Sequence, residues 1–510
     1  MVWFARAGWR SKFRALEDGR AGDPVVNVQS VDLALEIDRQ LGEAVSSVVR
    51  AHHRRRLARI GWARALDPAP ADWAAGDPPS RQGNALELLI DGAEALPQIA
   101  RELERAESHV HLTGWFLSPD FALTRSREEP VILRNILAEL AERVEVRVLV
   151  WAGAPLPLFR PSRRMVRTAR ESLVRGTKIR CLLDARERPL HCHHEKTVVV
   201  DDKVAFVGGI DLTSESGDRF DTSAHPARGQ VGWHDATARL AGPAVADVSE
   251  HFGMRWHEVS GELLPAPTVP KPAGEVELQI VRTVPEKIYQ RLPDGDFRIL
   301  ESYLGALGSA QRLIYLENQF LWSPEIAAVL RDKLQRPPAD EFRLLVVLPA
   351  KPNSGGDDTR GVLGDLIEAD AGAGRFLACT LYARSGRLSD RVYVHAKIGI
   401  VDDAWLTLGS ANLNEHSLFN DTEMNVVTRD PGLVRQTRLR LWAEHLELPL
   451  DQVDVEPRRL IEDYWKPISS EQLTRQQAGQ PLTHRLVRLP GVSKRSKRLL
   501  GPLQGLLVDG

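Results

Sequence analysis

The pattern of apolar and polar residues contains two short apolar runs, at 197–200 and 398–401, and each is followed by two aspartates. A run of this length with turn-forming residues behind it is typical of a buried strand that ends in a turn. A histidine and a lysine, two positions apart, precede each run. Because side chains two apart on a strand project to the same face, each strand is predicted to present an imidazole and an ammonium side by side.

Both runs belong to a longer repeat. The first copy is His194-x-Lys196-x-x-x-x-Asp201, and the second, 201 residues later, is His395-x-Lys397-x-x-x-x-Asp402. Seven residues after each final aspartate, the chain continues as Gly208-Gly209-Ile210-Asp211 and as Gly409-Ser410-Ala411-Asn412. One copy could arise by chance, whereas two copies with matching flanks indicate a duplicated unit.

Other segments extend this duplication. Residues 106–116 align with 310–320, and 144–150 resemble 342–348. Both halves alternate predicted strands and helices, which favours an α/β fold of two similar units, each a mostly parallel sheet flanked by helices. We predict that the units pack as a pseudo-twofold pair with one shared active site. The predicted divisions are an N-terminal helical extension and linker at 1–84, the two units at 85–265 and 272–450, and a C-terminal extension at 451–510.

Composition narrows the class of protein. The formal net charge over 510 residues is −2, so no global basic field favours nucleic acid as a partner. Three cysteines fit a reducing compartment, and no apolar run is long enough to predict a transmembrane helix. We therefore predict a cytoplasmic monomer with transient, peripheral contact to the membrane. Residues 1–14 and 494–507 mix basic and apolar side chains and are candidate lipid contacts, with a docked or solvated terminus as the alternative. Residues 351–374 are rich in glycine and aspartate and are predicted to form a long loop.

The repeated residues match what cleavage of a phosphodiester requires. A nucleophile and a proton donor must lie on opposite sides of phosphorus, and cations must face the oxygens on which charge develops. His194 and His395 are predicted to flank the phosphorus, and Lys196 and Lys397 to hold its oxygens. The predicted neutral donors are Asn412 and Ser410. Asp221 and Glu423, which follow the two histidines by 27 and 28 residues, are predicted to orient the imidazole rings. Asp201 and Asp402 belong to the motif but are interpreted as closing the turns that present it.

A metal site is the alternative interpretation of the first motif. The run His191-Cys192-His193-His194 contains ligand-type side chains, but neighbours on a strand point to opposite faces, so the four cannot converge. Two lysines already supply positive charge, so neither a metal nor another cofactor is expected.

The doubled motif resembles that of the phospholipase D superfamily. Further matching segments are Trp233-His234-Asp235, Val281-Arg282-Thr283, Tyr315-Leu316-Glu317-Asn318-Gln319-Phe320 and Gly409-Ser410-Ala411-Asn412-Leu413-Asn414. The resemblance covers about residues 85–450 and favours the phospholipid-cleaving branch. It implies that His194 is the nucleophile and His395 the general acid. Asp211 departs from the pattern, since it stands where the second half has Asn412, and is the corresponding candidate in the phosphate site.

The resemblance implies a phospholipase D that hydrolyses the headgroup ester of glycerophospholipids to phosphatidic acid. The reaction would pass through a phosphohistidine and would also transfer the phosphatidyl group to alcohols. Three alternatives stay open: a phosphatidyltransferase of the cardiolipin synthase type, a phosphodiesterase acting on nucleic acid, and a catalytically silent lipid-binding module. The lack of a predicted N-terminal transmembrane helix counts against the phosphatidyltransferase. The near-neutral charge counts against a nuclease, and the intact motif residues count against a silent binding module.

Overall fold

The computed structural model describes residues 28–69, 73–125, 129–155, 159–351 and 356–489. Within these ranges, two sheets with one strand order carry the duplicated halves of the sequence. The candidate lipid contacts at 1–14 and 494–507 lie outside the described residues.

The first sheet has seven strands, in the spatial order β4-β3-β2-β5-β6-β8-β1. The strands of the first half are β1 (Arg81–Ile90), β2 (His109–Gly114), β3 (Glu145–Trp151), β4 (Arg180–Asp184), β5 (Thr197–Val200), β6 (Val204–Gly208), β7 (Gly232–His234) and β8 (Ala236–Ala241). The short strand β7 is not part of this order, because it pairs with the second half.

The second sheet repeats this order as β13-β12-β11-β15-β16-β17-β9. Its half contributes β9 (Val276–Val284), β10 (Asp296–Phe297), β11 (Leu313–Glu317), β12 (Arg343–Val347), β13 (Phe376–Ser385), β14 (Leu388–Val394), β15 (Ile398–Val401), β16 (Trp405–Gly409), β17 (Glu423–Thr428) and β18 (Leu486–Arg488). Strand β18 pairs with the outer side of β13. The start of β1 also pairs with β9, so one strand joins the two sheets.

The α/β fold and the two similar units are confirmed, but each sheet is mixed rather than mostly parallel. Only the three strands β2, β3 and β4, and their counterparts β11, β12 and β13, run parallel to one another. The remaining pairings in each order are antiparallel. The aspartate turn after each motif explains the difference, since strands joined by so short a connection must form an antiparallel hairpin.

Helices cover the outer faces of the sheets. They are α1 (Val28–Arg59), α2 (Asp91–Glu104), α3 (Leu133–Leu140), α4 (Arg163–Val174), α5 (Val245–Ser260), α6 (Arg298–Ser309), α7 (Pro324–Gln335), α8 (Gly356–Asp370), α9 (Pro431–Leu446), α10 (Leu450–Val453), α11 (Pro457–Leu460) and α12 (Lys466–Gln477). A short 3₁₀ helix spans Ala63–Ala65, and two π-helical turns span His416–Asn420 and Ile461–Trp465. The long loop predicted at 351–374 is wrong over most of its length. Its glycines and aspartates obscured Leu363 and Leu366, which lie three apart on α8 and are buried.

A shared core holds the two units together. One cluster of buried apolar side chains includes Val199 and Val207 from the first sheet with Ile398 and Ile400 from the second. The N-terminal helix α1 packs on the second unit, where Arg56 donates to both carboxylate oxygens of Glu286 at 2.8–3.3 Å. The two motif strands, β5 and β15, therefore belong to one continuous packed body.

Candidate active site

The two aspartates that end each motif form the turn of a hairpin. Asp201 and Asp202 have φ of 56° and 55°, and Asp402 and Asp403 both have φ of 53°. Two successive residues in the left-handed region make the type of turn whose twist matches a hairpin, and aspartate tolerates that conformation. Both motifs therefore start a hairpin of the same shape, β5–β6 and β15–β16.

The carboxylates of Asp201 and Asp402 hold the start of the neighbouring antiparallel strand, which is β2 in the first half and β11 in the second. Asp201 accepts hydrogen bonds from the backbone amides of residues 107, 108 and 109 at 2.8–3.0 Å. Asp402 accepts from the amides of residues 311, 312 and 313 at 2.6–2.7 Å. Both lie at the end of the motif strand opposite its histidine. These contacts support the interpretation of both aspartates as structural members of the motif.

The histidine at the start of each motif is anchored to the other unit. The backbone amide of His194 donates to the carbonyl of Thr422, immediately before β17, at 2.9 Å. The amide of His395 donates to the carbonyl of His234, at the end of β7, at 2.8 Å. Strands β7 and β14 pair in parallel across the same junction. This exchange brings both histidines to one site between the units, as predicted.

A carboxylate from the opposite half orients each imidazole. The Nδ1 atom of His194 lies 2.9 and 3.2 Å from the two carboxylate oxygens of Glu423, and Nδ1 of His395 lies 2.7 Å from Asp235. A proton on Nδ1 that faces a carboxylate leaves Nε2 as the free nitrogen of each neutral ring. Glu423, the predicted partner of a motif histidine, thus contacts His194, and its orienting role stays a prediction, whereas the prediction of Asp221 is wrong. Asp221 instead contacts His225 at 2.9 Å.

The error at Asp221 comes from an insertion. Gly208 pairs with Thr237, and Gly409 pairs with Asn425, so Asp235 and Glu423, each two residues earlier, are equivalent in the fold. Asp235 follows His194 by 41 residues and Glu423 follows His395 by 28, so the first half is 13 residues longer here. Matching by spacing therefore selected the wrong aspartate. Asp235 belongs to the segment Trp233-His234-Asp235, which matches the phospholipase D superfamily, and that match was the signal that could have identified it.

A second row of buried polar groups supports Asp235. His234, which is fully buried, lies 3.0 Å from Asp91 through Nδ1 and 2.8 Å from Glu317 through Nε2. Burial opposes its charge, but Asp91 and Glu317 together raise the pKa of His234 well above its usual range. A backbone carbonyl from this same residue holds His395, so the ion-pair network fixes the junction between the units.

The two motif lysines enter the site beside their histidines. Lys196 donates to the carbonyl of His194 at 2.7 Å and lies 3.3 Å from the carboxylate of Asp211. Lys397 donates to the carbonyl of His395 and to the side-chain oxygen of Gln319 at 3.4 Å. Both ammonium groups are buried. Each motif histidine therefore has a positive charge beside it.

The predicted phosphate-binding residues divide into three kinds. Asn412 contributes a buried amide that donates to Gln319 at 3.4 Å, and its oxygen has no hydrogen-bond partner among the described residues. Ser410 does not face the pocket, because its hydroxyl donates to Glu423 and to the carbonyl of Met424. Asp211 is a hydrogen-bond acceptor that pairs with Lys196, so it does not itself donate to a phosphate. A donor to the phosphate therefore stays a prediction for Asn412, and the contacts of Ser410 and Asp211 do not support it for them.

Burial and the two lysines control the protonation of the site. Burial, aided by Lys196 and Lys397, lowers the pKa of His194 to about 3 and holds the pKa of His395 well below its usual range. Burial also lowers the pKa of Lys397 to about 7. It also raises the pKa of Glu423, against Lys196 and the hydroxyls of Ser410 and Ser417, which favour the charged carboxylate. In the free protein at neutral pH, both imidazoles are therefore uncharged.

One pocket contains both histidines. Its other lining residues are Trp115, Phe116, Arg160, Pro161, Met165, Asp211, Glu215, Ser216, Arg219, Trp233 and Gln319. The rings of Trp115 and His194 are 6.4 Å apart, and those of Trp233 and His395 are 4.5 Å apart. Trp115 and Gln319 occupy matching positions in the repeated segments 106–116 and 310–320, so one half supplies an indole where the other supplies an amide. Sequence reasoning missed Arg219, which no repeat marks.

The ligand-type residues before the first motif do not converge, as predicted. His193 contacts Thr422 at 2.8 Å and Asp184 at 3.2 Å, whereas His194 contacts Glu423. His191 instead faces His416 at 2.9 Å and Asp421 at 3.5 Å. Those three residues bring ligand-type atoms within 4.8 Å of one another, and hydrogen bonds already join them.

Known proteins resemble the chain in sequence. Residues 304–443, which contain the second motif, match the family described as cardiolipin synthase, PLD-like domain. Phospholipase D A of Dictyostelium discoideum is 27% identical over 485 residues, covering 75% of this chain and 37% of that protein. Major cardiolipin synthase ClsA of Bacillus subtilis (strain 168) is 24% identical over 394 residues, covering 72% of this chain and 73% of that protein. The chain thus spans little more than a third of the Dictyostelium protein.

A distant structural likeness accompanies these matches. The crystal structure of phosphatidylserine synthase from Haemophilus influenzae Rd KW20 is 14% identical, with a TM-score of 0.48, over 77% of this chain and 93% of that one. Among the described helices, none is long and apolar enough to cross a membrane. The sequence matches to lipid-acting proteins agree with the doubled motif. Together with the doubled motif, these matches support the phospholipase D superfamily, in the branch of phospholipases D and cardiolipin synthases, as the family of this chain.

Proposed function

We propose that the protein is a phospholipase D-type phosphodiesterase that hydrolyses the headgroup ester of glycerophospholipids to phosphatidic acid. The observation that carries the proposal is the pair of imidazoles in one pocket, each with a carboxylate on Nδ1 and a lysine beside it. Relatives named phospholipase D and cardiolipin synthase support a phospholipid as the substrate.

The first step is attack by His194. Its Nε2 forms a bond to phosphorus while the bond from phosphorus to the headgroup oxygen breaks, and His395 gives that oxygen a proton. In the second step, His395 takes a proton from water, the water oxygen bonds to phosphorus, and the bond to His194 breaks. Phosphatidic acid leaves and both rings return to their starting state.

The pKa shifts of the free site are consistent with these roles. The low pKa of His194 keeps its Nε2 unprotonated and available for attack. His395 must be protonated before the first step, and in the free site the lysines oppose that charge. A bound phosphodiester brings a negative charge between the lysines, so its arrival offsets their effect and favours the imidazolium beside Asp235.

The lysines and Asn412 stabilise the transition state. Charge develops on the non-bridging oxygens of phosphorus, and buried donors aimed at those oxygens act without reorganisation. Lys196 and Lys397 supply charge, and the amide nitrogen of Asn412 supplies a neutral donor. No step in this scheme uses a metal ion.

Phosphatidyl transfer is a second candidate function. The match of residues 304–443 to the cardiolipin synthase family and the similarity to ClsA favour it. The same intermediate serves both reactions, because His395 as base can deprotonate an alcohol as well as water. The acceptor that reaches the phosphohistidine determines which product forms.

The experiment is a product assay on purified protein. Phospholipids with different headgroups, and separately single-stranded DNA, are incubated with a chelator present, and the products are identified. We expect phosphatidic acid from lipid, no cleavage of DNA, and no product with His194→Ala. Cleavage of DNA with intact lipid would overturn the proposal. The predicted transient membrane contact is tested separately, by vesicle sedimentation at rising anionic lipid content.

A further inference from the structure

The headgroup side of the pocket follows from the proposed roles, so this inference rests on the proposed function. His395 gives its proton to the leaving headgroup, so the headgroup must lie next to that ring. The aromatic neighbours of His395 are Trp233, at a ring distance of 4.5 Å, and Tyr393, at 6.2 Å. These two rings are themselves 4.6 Å apart.

An aromatic pair of this kind is a common site for a quaternary ammonium group, which binds over the ring face. Here a cation already lies there. The guanidinium carbon of Arg219 is 3.2 Å from the centre of the Trp233 ring. A choline headgroup that entered this side of the pocket would therefore meet a fixed positive charge on the surface that otherwise attracts it.

The position of Arg219 is fixed by burial. The residue is only 4% exposed, and one of its guanidinium nitrogens donates to the carbonyl of Gly217 at 3.2 Å. Its own carbonyl packs so closely on Gly92 that a Cβ atom there would come within 1.9 Å. Burial lowers the pKa of Arg219 to about 10, so it remains charged at neutral pH. Within the described part of the chain, its Nε has no hydrogen-bond partner.

The carboxylates around Arg219 are engaged elsewhere. Asp211 lies 3.3 Å from Lys196, and Asp235 bonds to His395 at 2.7 Å. Asp218 pairs with Arg125 and Arg228. The guanidinium thus keeps donor capacity and positive charge for the pocket.

Glu215 is the carboxylate that could attract a cationic headgroup. It lines the pocket, but its side chain is 39% exposed and lies 3.8 Å from Arg160. Water and Arg160 both weaken its field, whereas Arg219 acts from a buried position. Of these two lining charges, the buried and less screened one is therefore positive.

We propose that Arg219 makes the headgroup side of the site select against quaternary ammonium headgroups and for uncharged polyol headgroups, the class represented by phosphatidylglycerol. The hydroxyls of a polyol accept hydrogen bonds from the free guanidinium N–H groups. A trimethylammonium group has no acceptor, is repelled by the charge and finds the indole face occupied. At the separations that a small pocket allows, repulsion of this kind corresponds to a discrimination of roughly tenfold or more.

The first test needs no variant. In the transfer reaction the acceptor alcohol occupies the headgroup position, since its proton goes to His395 as its oxygen bonds to phosphorus and the bond to His194 breaks. Wild-type protein is given a soluble short-chain phospholipid with glycerol and choline at equal concentration. We expect at least about tenfold more phosphatidylglycerol than phosphatidylcholine. Equal amounts, or an excess of phosphatidylcholine, would overturn the inference.

The second test changes Arg219. Cleavage of dihexanoyl phosphatidylglycerol and dihexanoyl phosphatidylcholine is compared in wild type, Arg219→Gln, Arg219→Lys and Arg64→Gln. Arg64 is the matched control, because its guanidinium lies 4.2 Å from the centre of the Trp62 ring, outside the pocket lining. We expect Arg219→Gln to lower the glycerol-to-choline ratio of kcat/KM by roughly tenfold, Arg219→Lys to keep most of it, and Arg64→Gln to leave it unchanged.

The outcomes separate this inference from the proposed function. If no lipid is cleaved by wild type, the proposed function fails. If lipid is cleaved but the ratio is the same in wild type and in folded Arg219→Gln, only the role of Arg219 fails. Thermal melting identifies a variant that does not fold, and in that case the acceptor competition in wild type decides.

Discussion

Replacing Asp235 by asparagine tests the assignment of the general acid. The carboxylate lies 2.7 Å from Nδ1 of His395 and is 2% exposed, so the hydrogen bond is shielded from water. A hydrogen bond to a charged group contributes about 1.5–3 kcal/mol, and here it acts fully only when His395 carries its proton. Since about 1.4 kcal/mol is a factor of ten in rate, we expect kcat to fall about 10- to 150-fold.

The assay compares two substrates that differ in their leaving group. A natural headgroup leaves as an alcohol and needs the proton of His395, whereas p-nitrophenolate leaves without one. Asp235→Asn should therefore slow release of a natural headgroup by the full factor, and release of p-nitrophenol from its phosphatidyl ester by much less. Burst kinetics with both substrates measure the first step directly.

Asp221→Asn is the matched control. Asp221 is as buried as Asp235, but it contacts His225 at 2.9 Å rather than either catalytic ring. This change should lower the melting temperature and leave kcat per folded molecule near that of wild type. An equal loss with both leaving groups in Asp235→Asn, or a larger loss of kcat in Asp221→Asn, would refute the assignment of His395 and Asp235.

Four further outcomes are expected. His194→Ala should form no covalent phosphoenzyme, whereas His395→Ala should still be labelled by the p-nitrophenyl ester; label confined to His194→Ala would mean that the roles are exchanged. Activity should survive chelation, and complete loss of activity that one divalent ion restores would contradict the metal-free scheme. If chelation lowers only the melting temperature, a structural metal ion at His191, His416 and Asp421 would be indicated. Because Lys397, with a pKa of about 7, must be charged to hold the phosphate, kcat/KM should fall as pH rises above about 7. The corresponding fall in kcat should occur at a higher pH, since the bound anion favours the charged ammonium. If an active Lys397→Arg variant shows the same fall in kcat/KM at the same pH, this lysine is not its source. Butanol should divert phosphatidic acid to phosphatidylbutanol with retained configuration at phosphorus, and inversion without an adduct would indicate direct attack by water.

The asymmetry of the site has a functional consequence. The first half has Asp211 where the second has Asn412. Among the described residues, Lys196 is therefore paired with a carboxylate, while Lys397 contacts neutral oxygens from Gln319 and its own histidine. The two rings are thus in different surroundings although their motifs are identical. Two histidines that perform opposite tasks at one pH require such a difference.

Local patterns in the sequence determined much of the fold. The apolar runs and paired aspartates define β5, β15 and the turns after them, because burial and left-handed backbone conformation limit which residues can stand there. Two residues of strand spacing place His194 beside Lys196 and His395 beside Lys397. The duplication fixed the number of units, and the site therefore contains the four residues that the repeat selected.

The tertiary structure alone decided what each of these residues contacts. Spacing selected Asp221, but an insertion of 13 residues and the register between β6 and β8 bring Asp235 to His395 instead. The oxygen of Ser410 faces Glu423 and not the pocket because β16 and β17 pair there. Arg219 lies in a connection that no repeat marks, and only packing over Trp233 brings it to the headgroup side. The spacing of residues along one strand determines the face to which each side chain points. Contacts between the units depend on loop lengths and on the register between strands, which the pattern within one strand does not determine.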